Sequence, residues 1–208
     1  MDLKQIFENN REWIASKLDV DENYFENLSK GQSPGILYIG CCDSRVTAED
    51  MMGVEPGQAF VHRNIANMVS CLDLGIMSTI NYAVDHLDVD HIVVCGHYGC
   101  GGVKAAMQQA DLGILNPWLR EIRDVYRLHK DELDSMDDDE QRYRRFVELN
   151  VQEQCINVLK TAEAQRAYYK RNLDVHGWVF DIATGQLRDL KIDFRSLLEK
   201  IQEVYRVE

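Results

Sequence analysis

Two short stretches of the chain carry side chains suited to binding a metal ion. Residues 36–45 read Ile-Leu-Tyr-Ile-Gly-Cys-Cys-Asp-Ser-Arg, and residues 91–102 read His-Ile-Val-Val-Cys-Gly-His-Tyr-Gly-Cys-Gly-Gly. Each begins as an apolar, β-rich run, which is typical of a buried parallel strand, and each places cysteine or histidine just after that run. Because the carboxyl ends of parallel strands lie along one edge of a sheet, both stretches can supply ligands to one ion.

The residue types favour zinc at a site with an open coordination position. Thiolate sulfur and imidazole nitrogen are ligands that zinc prefers, and one turn can bring His97 and Cys100 to the same ion. The third ligand is Cys41 or Cys42, and only one of them, since successive side chains of an extended chain point in opposite directions. Three protein ligands leave one tetrahedral position open, which is typical of a catalytic zinc.

Asp43 and Arg45 follow these cysteines directly. The planar guanidinium of Arg45 can hold the Asp43 carboxylate with two parallel hydrogen bonds and keep it ionised. Without metal ligands nearby, such a pair would be interpreted as a structural ion pair at a strand end. Beside a metal, we expect the carboxylate to orient a nucleophile.

These residues resemble the β class of carbonic anhydrases, which carry Cys-x-Asp-Ser-Arg and, much later in the chain, His-x-x-Cys. The resemblance is to the bacterial branch of that class and covers most of the chain. Four further segments are similar to that branch: Phe60 to Asn67, Gly96 to Gly102, Glu148 to Val151, and His176 to Trp178.

The resemblance implies a function and a role for each site residue. It implies a zinc-dependent carbonate dehydratase that reversibly hydrates carbon dioxide to bicarbonate by means of zinc-bound hydroxide. Cys41, His97 and Cys100 then bind Zn²⁺, while Asp43 and Arg45 form the catalytic pair. Some members of the family move the aspartate onto zinc at low pH, so Asp43 is also predicted as a fourth metal ligand.

The resemblance also implies residues that bind substrate or bicarbonate. Gly102 offers its backbone N–H to bicarbonate, or serves only the geometry of its turn. Tyr82 is a core residue by its position on the predicted helix, whereas the resemblance places this region near the subunit boundary, lining a narrow apolar substrate pocket. One subgroup of the family holds regulatory bicarbonate with a Trp, an Arg and a Tyr, whose positions here are Tyr38, Arg63 and Phe180. Because Tyr38 is not an indole and Phe180 has no hydroxyl, we expect bicarbonate regulation to be weakened or altered.

The remaining histidines are interpreted as structural or surface residues, and the remaining cysteines as core residues. Five histidines and three cysteines fall in these groups: His62, His86, His91, His129, His176, Cys71, Cys95 and Cys155. Buried free cysteines behave mainly as small hydrophobic residues.

The composition is that of an ordinary globular protein. With 208 residues and 45% hydrophobic content, we expect one α/β domain over residues 1–208, in which residues 1–30 form a helical arm. The net charge of −12 opposes binding to nucleic acid or to an anionic membrane and favours a small substrate, but it does not identify that substrate. Carbon dioxide and bicarbonate are the partners that the resemblance implies. No apolar run approaches the ~20 residues of a membrane span, and no signal peptide is recognised, so we expect a cytoplasmic protein.

Alternating strands and helices predict a mainly parallel central sheet with helices on both faces, an antiparallel edge strand and the N-terminal helical arm. The strands are predicted from Ile36 and at Ala59–His62, His91–Cys95, Asn172–Phe180 and Gln186–Ile192. The helices are predicted at Leu3–Leu18, Asn23–Leu28, from Thr47 to Gly53, Leu72–Leu87, Val103–Ala110, Trp118–Lys130, Glu140–Tyr168 and Phe194–Tyr205, with Asn116 as the cap before Trp118.

Quaternary structure and two alternative functions stay open at this stage. The apolar face of the first helix packs on the chain's own core or on a neighbouring subunit, and the resemblance implies an arm that wraps the second subunit of a homodimer or homotetramer. The alternative functions are a carbonyl sulfide or carbon disulfide hydrolase on the same scaffold, and a non-catalytic zinc or thiol sensor that uses a Cys41–Cys42 disulfide.

Overall fold

The computed structural model describes residues 2–207 and divides into two compact units after Gln32. The N-terminal unit contains α1 (Leu3–Val20) and α2 (Tyr24–Ser29). The Asp2 side chain caps α1 by accepting a hydrogen bond from the backbone N–H of Lys4. This unit corresponds to the predicted helical arm.

The second unit is built on a five-stranded sheet with helices packed against it. Its strands are β1 (Ile36–Cys41), β2 (Ala59–Asn64), β3 (His91–His97), β4 (Asp174–Asp181) and β5 (Gln186–Asp189). Its helices are α3 (Ala48–Met52), α4 (Leu74–Asp85), α5 (Gly101–Ala106), α6 (Leu115–Leu128), α7 (Lys130–Asp134), α8 (Asp139–Leu159), α9 (Ala162–Arg171) and α10 (Phe194–Gln202), with a 3₁₀ turn at Ile65–Asn67.

The strand order β2-β1-β3-β4-β5 places β1 and β3 side by side in the sheet. All pairs are parallel except β4 with β5, which is the antiparallel edge pair. The predicted fold class is confirmed. Because β2 lies on one side of β1 and β3 on the other, the strand order reverses direction at β1. In sheets of this kind, ligands bind beyond the carboxyl ends of the strands at the point of reversal, which here lies between β1 and β3.

Two hydrophobic clusters cover the two faces of the sheet. The larger contains Ile39 and Val94 and extends through Phe146 of α8, whereas the smaller packs Tyr38 and Val93 against α3. Alternate residues of β1 and β3 serve opposite faces, since successive side chains of a strand point to opposite sides. The ends of these strands are therefore held from both faces.

The predicted long helix from Glu140 to Tyr168 is wrong, because the structure divides it into α8 and α9. The Thr161 side chain accepts a hydrogen bond from the backbone N–H of Ala164 and so caps a new helix. The apolar pattern continues across the break, so periodicity alone did not show it.

The predicted core position of Cys71 is also wrong. Cys95 and Cys155 are buried, but Cys71 is exposed because it lies in the turn before α4 and not on a packed element.

The start of α6 also differs from its prediction. Asn116 lies inside the helix instead of capping it, and its side chain bonds the preceding loop through the backbone N–H of Leu112 and the Asp111 carboxylate. Pro117 is tolerated within the first turn because the N–H groups there have no acceptor inside the helix.

Among residues 2–207, no helix is long and apolar enough to cross a lipid bilayer.

Candidate metal centre

The carboxyl ends of β1 and β3 bring the predicted metal ligands together. Cys41 is the last residue of β1 and His97 is the last residue of the neighbouring β3. Cys100 follows three residues later, immediately before α5. The ligand atoms of these three residues lie within 4.8 Å of one another, and all three side chains are buried.

The distance between the two sulfur atoms suits one tetrahedral zinc ion. The Sγ atoms of Cys41 and Cys100 are 3.9 Å apart. Two zinc–sulfur bonds of about 2.3 Å at the tetrahedral angle place their sulfur atoms roughly 3.8 Å apart. Cys42, in contrast, is exposed.

His97 presents a free nitrogen to these sulfurs. Its Nδ1 lies 3.1 Å from the carbonyl oxygen of Tyr98, which only accepts hydrogen bonds, so Nδ1 carries the ring proton. Its Nε2 is fully buried and has no hydrogen-bond partner within the described residues 2–207. A buried polar atom without a partner is costly, and binding a metal would satisfy this one.

The two thiols differ in acidity because they share a proton. A hydrogen bond from the Cys100 thiol lowers the pKa of Cys41 far below that of an ordinary thiol, and the pKa of Cys100 rises in return. The backbone N–H groups of Ala66 and Asp43 also lower the pKa of Cys41. Cys41 is therefore held as a thiolate, which is the form that binds metal.

Asp43 lies beside this cluster and is held by Arg45 through two parallel hydrogen bonds. Arg45 Nε lies 2.9 Å from Asp43 Oδ1, and Arg45 Nη2 lies 2.7 Å from Oδ2. The pair lowers the pKa of Asp43 well below the usual range of a carboxyl group, so Asp43 is ionised at neutral pH. Asp43 Oδ2 is 3.8 Å from Nε2 of His97. An ionised hydrogen-bond acceptor thus faces the position where a fourth ligand would lie.

Arg63, predicted for a regulatory pocket, binds the main chain beneath the cluster. Its guanidinium donates hydrogen bonds to the carbonyl oxygens of Cys41, Asp43 and Val46 at 2.8, 2.6 and 2.7 Å. These bonds hold the loop that carries Cys41 and Asp43. Bicarbonate would have to compete with them for the guanidinium.

Tyr38 and Phe180, the other two residues of the predicted pocket, lie in the smaller hydrophobic cluster. The Tyr38 ring packs over Gly40, where a Cβ atom would come within 2.6 Å of the ring carbon Cζ. Phe180 pairs with His97 in the register of β3 and β4. The predicted role of these residues in binding bicarbonate stays a prediction.

The two residues predicted to bind substrate lie in different places. Gly102 belongs to the first turn of α5, where an added Cβ would lie 2.8 Å from Ile65 Cγ2 and 3.2 Å from the Ala66 Cβ. Tyr82 is half exposed on α4 and packs its ring against those of Phe60 and His86.

The 3₁₀ turn beside Cys41 has a strained backbone that the sequence interpretation missed. Ala66 and Asn67 have φ angles of 64° and 50°, a region that favours glycine. Two side chains of α8 hold this turn: Asn150 Nδ2 donates to the Ala66 carbonyl at 3.0 Å, and Gln154 Oε1 accepts from the Val69 N–H at 2.8 Å. The signal available in the sequence was polar side chains, Asn150 among them, inside an apolar helix face.

Helix α8 also fixes the residue after His97. The Tyr98 hydroxyl donates to Glu148 at 2.6 Å, and the Arg144 guanidinium lies 3.5 Å from the centre of the Tyr98 ring. Burial and the bond to Glu148 raise the pKa of Tyr98 to about 12. Tyr98 therefore keeps its proton and its position, and its carbonyl keeps the His97 ring oriented.

A parallel sheet that presents two thiols, one imidazole and an Asp–Arg pair at one edge defines a metal-dependent enzyme of the α/β class. The family model for carbonic anhydrase matches residues 36–187. A carbonic anhydrase of Emericella nidulans is 58% identical to this chain over 204 residues, which are 98% of this chain and 90% of that protein.

Superposition on solved structures supports the same family. The β-carbonic anhydrase CafA of Aspergillus fumigatus superposes with a TM-score of 0.92 at 36% identity and covers 99% of both chains. One of two tetrameric β-carbonic anhydrases of Sordaria macrospora superposes with a TM-score of 0.87 at 38% identity, covering 91% of this chain and 96% of that one. The chain therefore belongs to the carbonic anhydrase family, in its β class, as the motifs predicted. All three of these relatives are fungal proteins, so they support the β class, and the bacterial branch stays a prediction.

Proposed function

We propose that Cys41, His97 and Cys100 hold a zinc ion at which this enzyme reversibly hydrates carbon dioxide to bicarbonate. The observation that carries the proposal is the buried, unpartnered Nε2 of His97, which lies within 4.8 Å of two sulfur atoms spaced for a tetrahedral ion. When bound, zinc supplies the Lewis acidity that makes water a nucleophile near neutral pH.

Asp43 and Arg45 have the geometry to direct that chemistry. The Asp43 carboxylate accepts a hydrogen bond from the attacking oxygen and so turns a lone pair towards the carbon of carbon dioxide. Arg45 holds both carboxylate oxygens, which keeps Asp43 ionised and away from the metal ligands. This arrangement supports the open form of the site, in which the fourth position is free for water; release of Asp43 by Arg45 would allow the closed form.

The two adjacent cysteines provide a matched test of the ligand set. We expect Cys41→Ser to lose bound zinc and carbon dioxide hydration together, because it removes a buried ligand. We expect Cys42→Ser to keep both, since Cys42 is exposed. Metal analysis and stopped-flow hydration of the two variants and the wild type make the measurement.

Three results would overturn the proposal. If Cys42→Ser lost its zinc while Cys41→Ser retained it, the ligand would be Cys42 and not Cys41. Zinc-loaded wild type that releases sulfide from carbonyl sulfide but leaves carbon dioxide unhydrated would identify the related hydrolase. Zinc binding without either reaction would favour the sensor.

We also propose that the enzyme is a homo-oligomer. Three apolar side chains of α1, Leu3, Phe7 and Trp13, are exposed in the single chain, and a second subunit would cover such a face. The Sordaria macrospora relatives are described as tetrameric. Light scattering of the wild type and of a Leu3→Ser, Phe7→Ser double variant tests this: loss of the oligomer in the variant is expected, and a monomeric wild type would contradict the proposal.

A further inference from the structure

A second cluster of metal-binding side chains lies at the opposite end of the sheet. His91 is the first residue of β3 and Asp174 is the first residue of β4, and the two are paired in the parallel register. His176 follows two residues after Asp174, so both side chains lie on the same face of β4. One ligand atom from each of the three residues lies within 4.8 Å of the others.

The spacing of the two imidazoles suits a shared ion. His176 Nε2 and His91 Nδ1 are 3.2 Å apart. Two metal–nitrogen bonds of about 2.05 Å place their nitrogens roughly 2.9 Å apart at a right angle and roughly 3.4 Å apart at the tetrahedral angle. The observed distance lies between these values.

The surroundings favour a cation. Asp174 contributes a carboxylate, and Asp189 on the neighbouring β5 adds a second negative charge that acts on His176. His91 and Asp174 are exposed, so an ion can reach them.

We propose that His91, Asp174 and His176 form a second binding site for a divalent transition-metal ion such as Zn²⁺ or Ni²⁺. Two imidazoles and one carboxylate are ligands that these ions accept. The site lies six residues along β3 from His97, which corresponds to roughly 20 Å. It is separate from the catalytic centre, and an ion there joins the starts of two adjacent strands.

Trp178 provides an optical signal for this site. Its ring centre lies 6.0 Å from that of His176, on the same face of β4. A paramagnetic ion such as Ni²⁺ bound by His176 therefore quenches Trp178 fluorescence. The chain has three tryptophans, and Trp178→Phe identifies which part of the signal arises here.

The experiment titrates zinc-loaded full-length enzyme with Ni²⁺ and follows both bound metal and tryptophan fluorescence. We expect one further equivalent of Ni²⁺ in the wild type, with quenching that is absent from Trp178→Phe. His91→Ala and His176→Ala each weaken this binding by at least ~10-fold, and Asp174→Asn, which keeps the size of the side chain, weakens it as well. Circular dichroism verifies that each variant is folded.

Two controls make the result specific. His86→Ala removes an exposed histidine that follows α4 as its C-cap and lies outside the cluster, and we expect unchanged binding of the second equivalent. Cys41→Ser removes the proposed catalytic ligand, and we expect Ni²⁺ still to quench Trp178, so failure of the proposed function leaves this test intact. Wild type that takes up no second equivalent, or His91→Ala and His176→Ala proteins that bind Ni²⁺ as the wild type does, would show that the two histidines only share a hydrogen bond.

Discussion

Asn150 Nδ2 lies 3.0 Å from the carbonyl oxygen of Ala66, a residue 84 positions earlier in the chain that is held at a φ of 64°. Both residues are fully buried. The Ala66 N–H lowers the pKa of Cys41, so this contact connects the middle of α8 to the proposed metal centre. The strain in the turn is tolerated because hydrogen bonds from α8 hold it.

We predict that Asn150→Leu destabilises the protein by about 1–3 kcal/mol, since a side chain of similar size leaves the buried Ala66 carbonyl without its donor. Zinc is also expected to dissociate faster, because the turn beside Cys41 is loosened. Urea unfolding and the rate of zinc transfer to a chelator measure these effects. Gln141→Leu, at an exposed position of the same helix, is the control. Equal stability of the two variants would contradict the role given to Asn150.

Gly102 and Gly101 form a second matched pair, at the start of α5. An alanine Cβ at Gly102 would press on Ile65 and on the buried Ala66, so we expect Gly102→Ala to cost about 1–3 kcal/mol and to lower activity. At Gly101, an added Cβ meets no atom of the described residues within 4 Å. Gly101→Ala is therefore expected to be neutral or to stabilise by up to ~1 kcal/mol. Thermal unfolding and carbon dioxide hydration assays on both variants test this prediction. A Gly102→Ala protein with the stability and activity of the wild type would show that the turn at Ala66 can move to make room for the Cβ.

Removal of Arg45 tests the orientation of Asp43. We expect Arg45→Ala to lower kcat/KM for hydration by roughly 10², because Asp43 loses the two hydrogen bonds that aim it. Zinc content and the free energy of unfolding should change little, since the Arg45 side chain is exposed and surface ion pairs contribute little. Arg127→Ala removes another exposed arginine that is paired with a nearby aspartate, and should leave hydration unchanged. An active Arg45→Ala enzyme would remove Arg45 from the mechanism.

The Asp181–Arg144 pair predicts a dependence of stability on pH. A hydrogen bond from Arg144 lowers the pKa of Asp181, so the stabilisation is fully present above the ordinary aspartate pKa of about 3.9 and is lost as the pH falls through the lower folded value. We therefore expect the stability difference between wild type and Asp181→Asn to be largest near neutral pH and to shrink in acid. Urea unfolding across this range measures it.

The partner of Asp181 supplies the control for this pH effect. In an Arg144→Gln background the hydrogen bond is already absent, so adding Asp181→Asn should give a much smaller difference that hardly varies with pH. The same large, pH-dependent difference in both backgrounds would assign the effect to the other contacts of Asp181, the N–H of Ala183 and the guanidinium of Arg188.

The order of strands and helices was predictable because apolar runs and turn residues are local signals. Parallel strands that end in metal-binding side chains then imply a shared edge of the sheet. Local signals failed where a side chain acted against the pattern: Thr161 begins a new helix inside a continuous apolar repeat, and Asn116 bonds the preceding loop instead of capping α6.

By itself, the sequence determined which side chains could bind a metal and that they follow the ends of β1 and β3. Burial in the folded chain distinguished Cys41 from Cys42, because adjacent residues of a strand end face different surroundings. The strained turn at Ala66, its hydrogen-bond partners on α8 and the pairing of His91 with His176 depend on contacts between residues more than 80 positions apart. Only tertiary structure decides such contacts, since they arise from helix packing and strand register and leave no local pattern in the sequence.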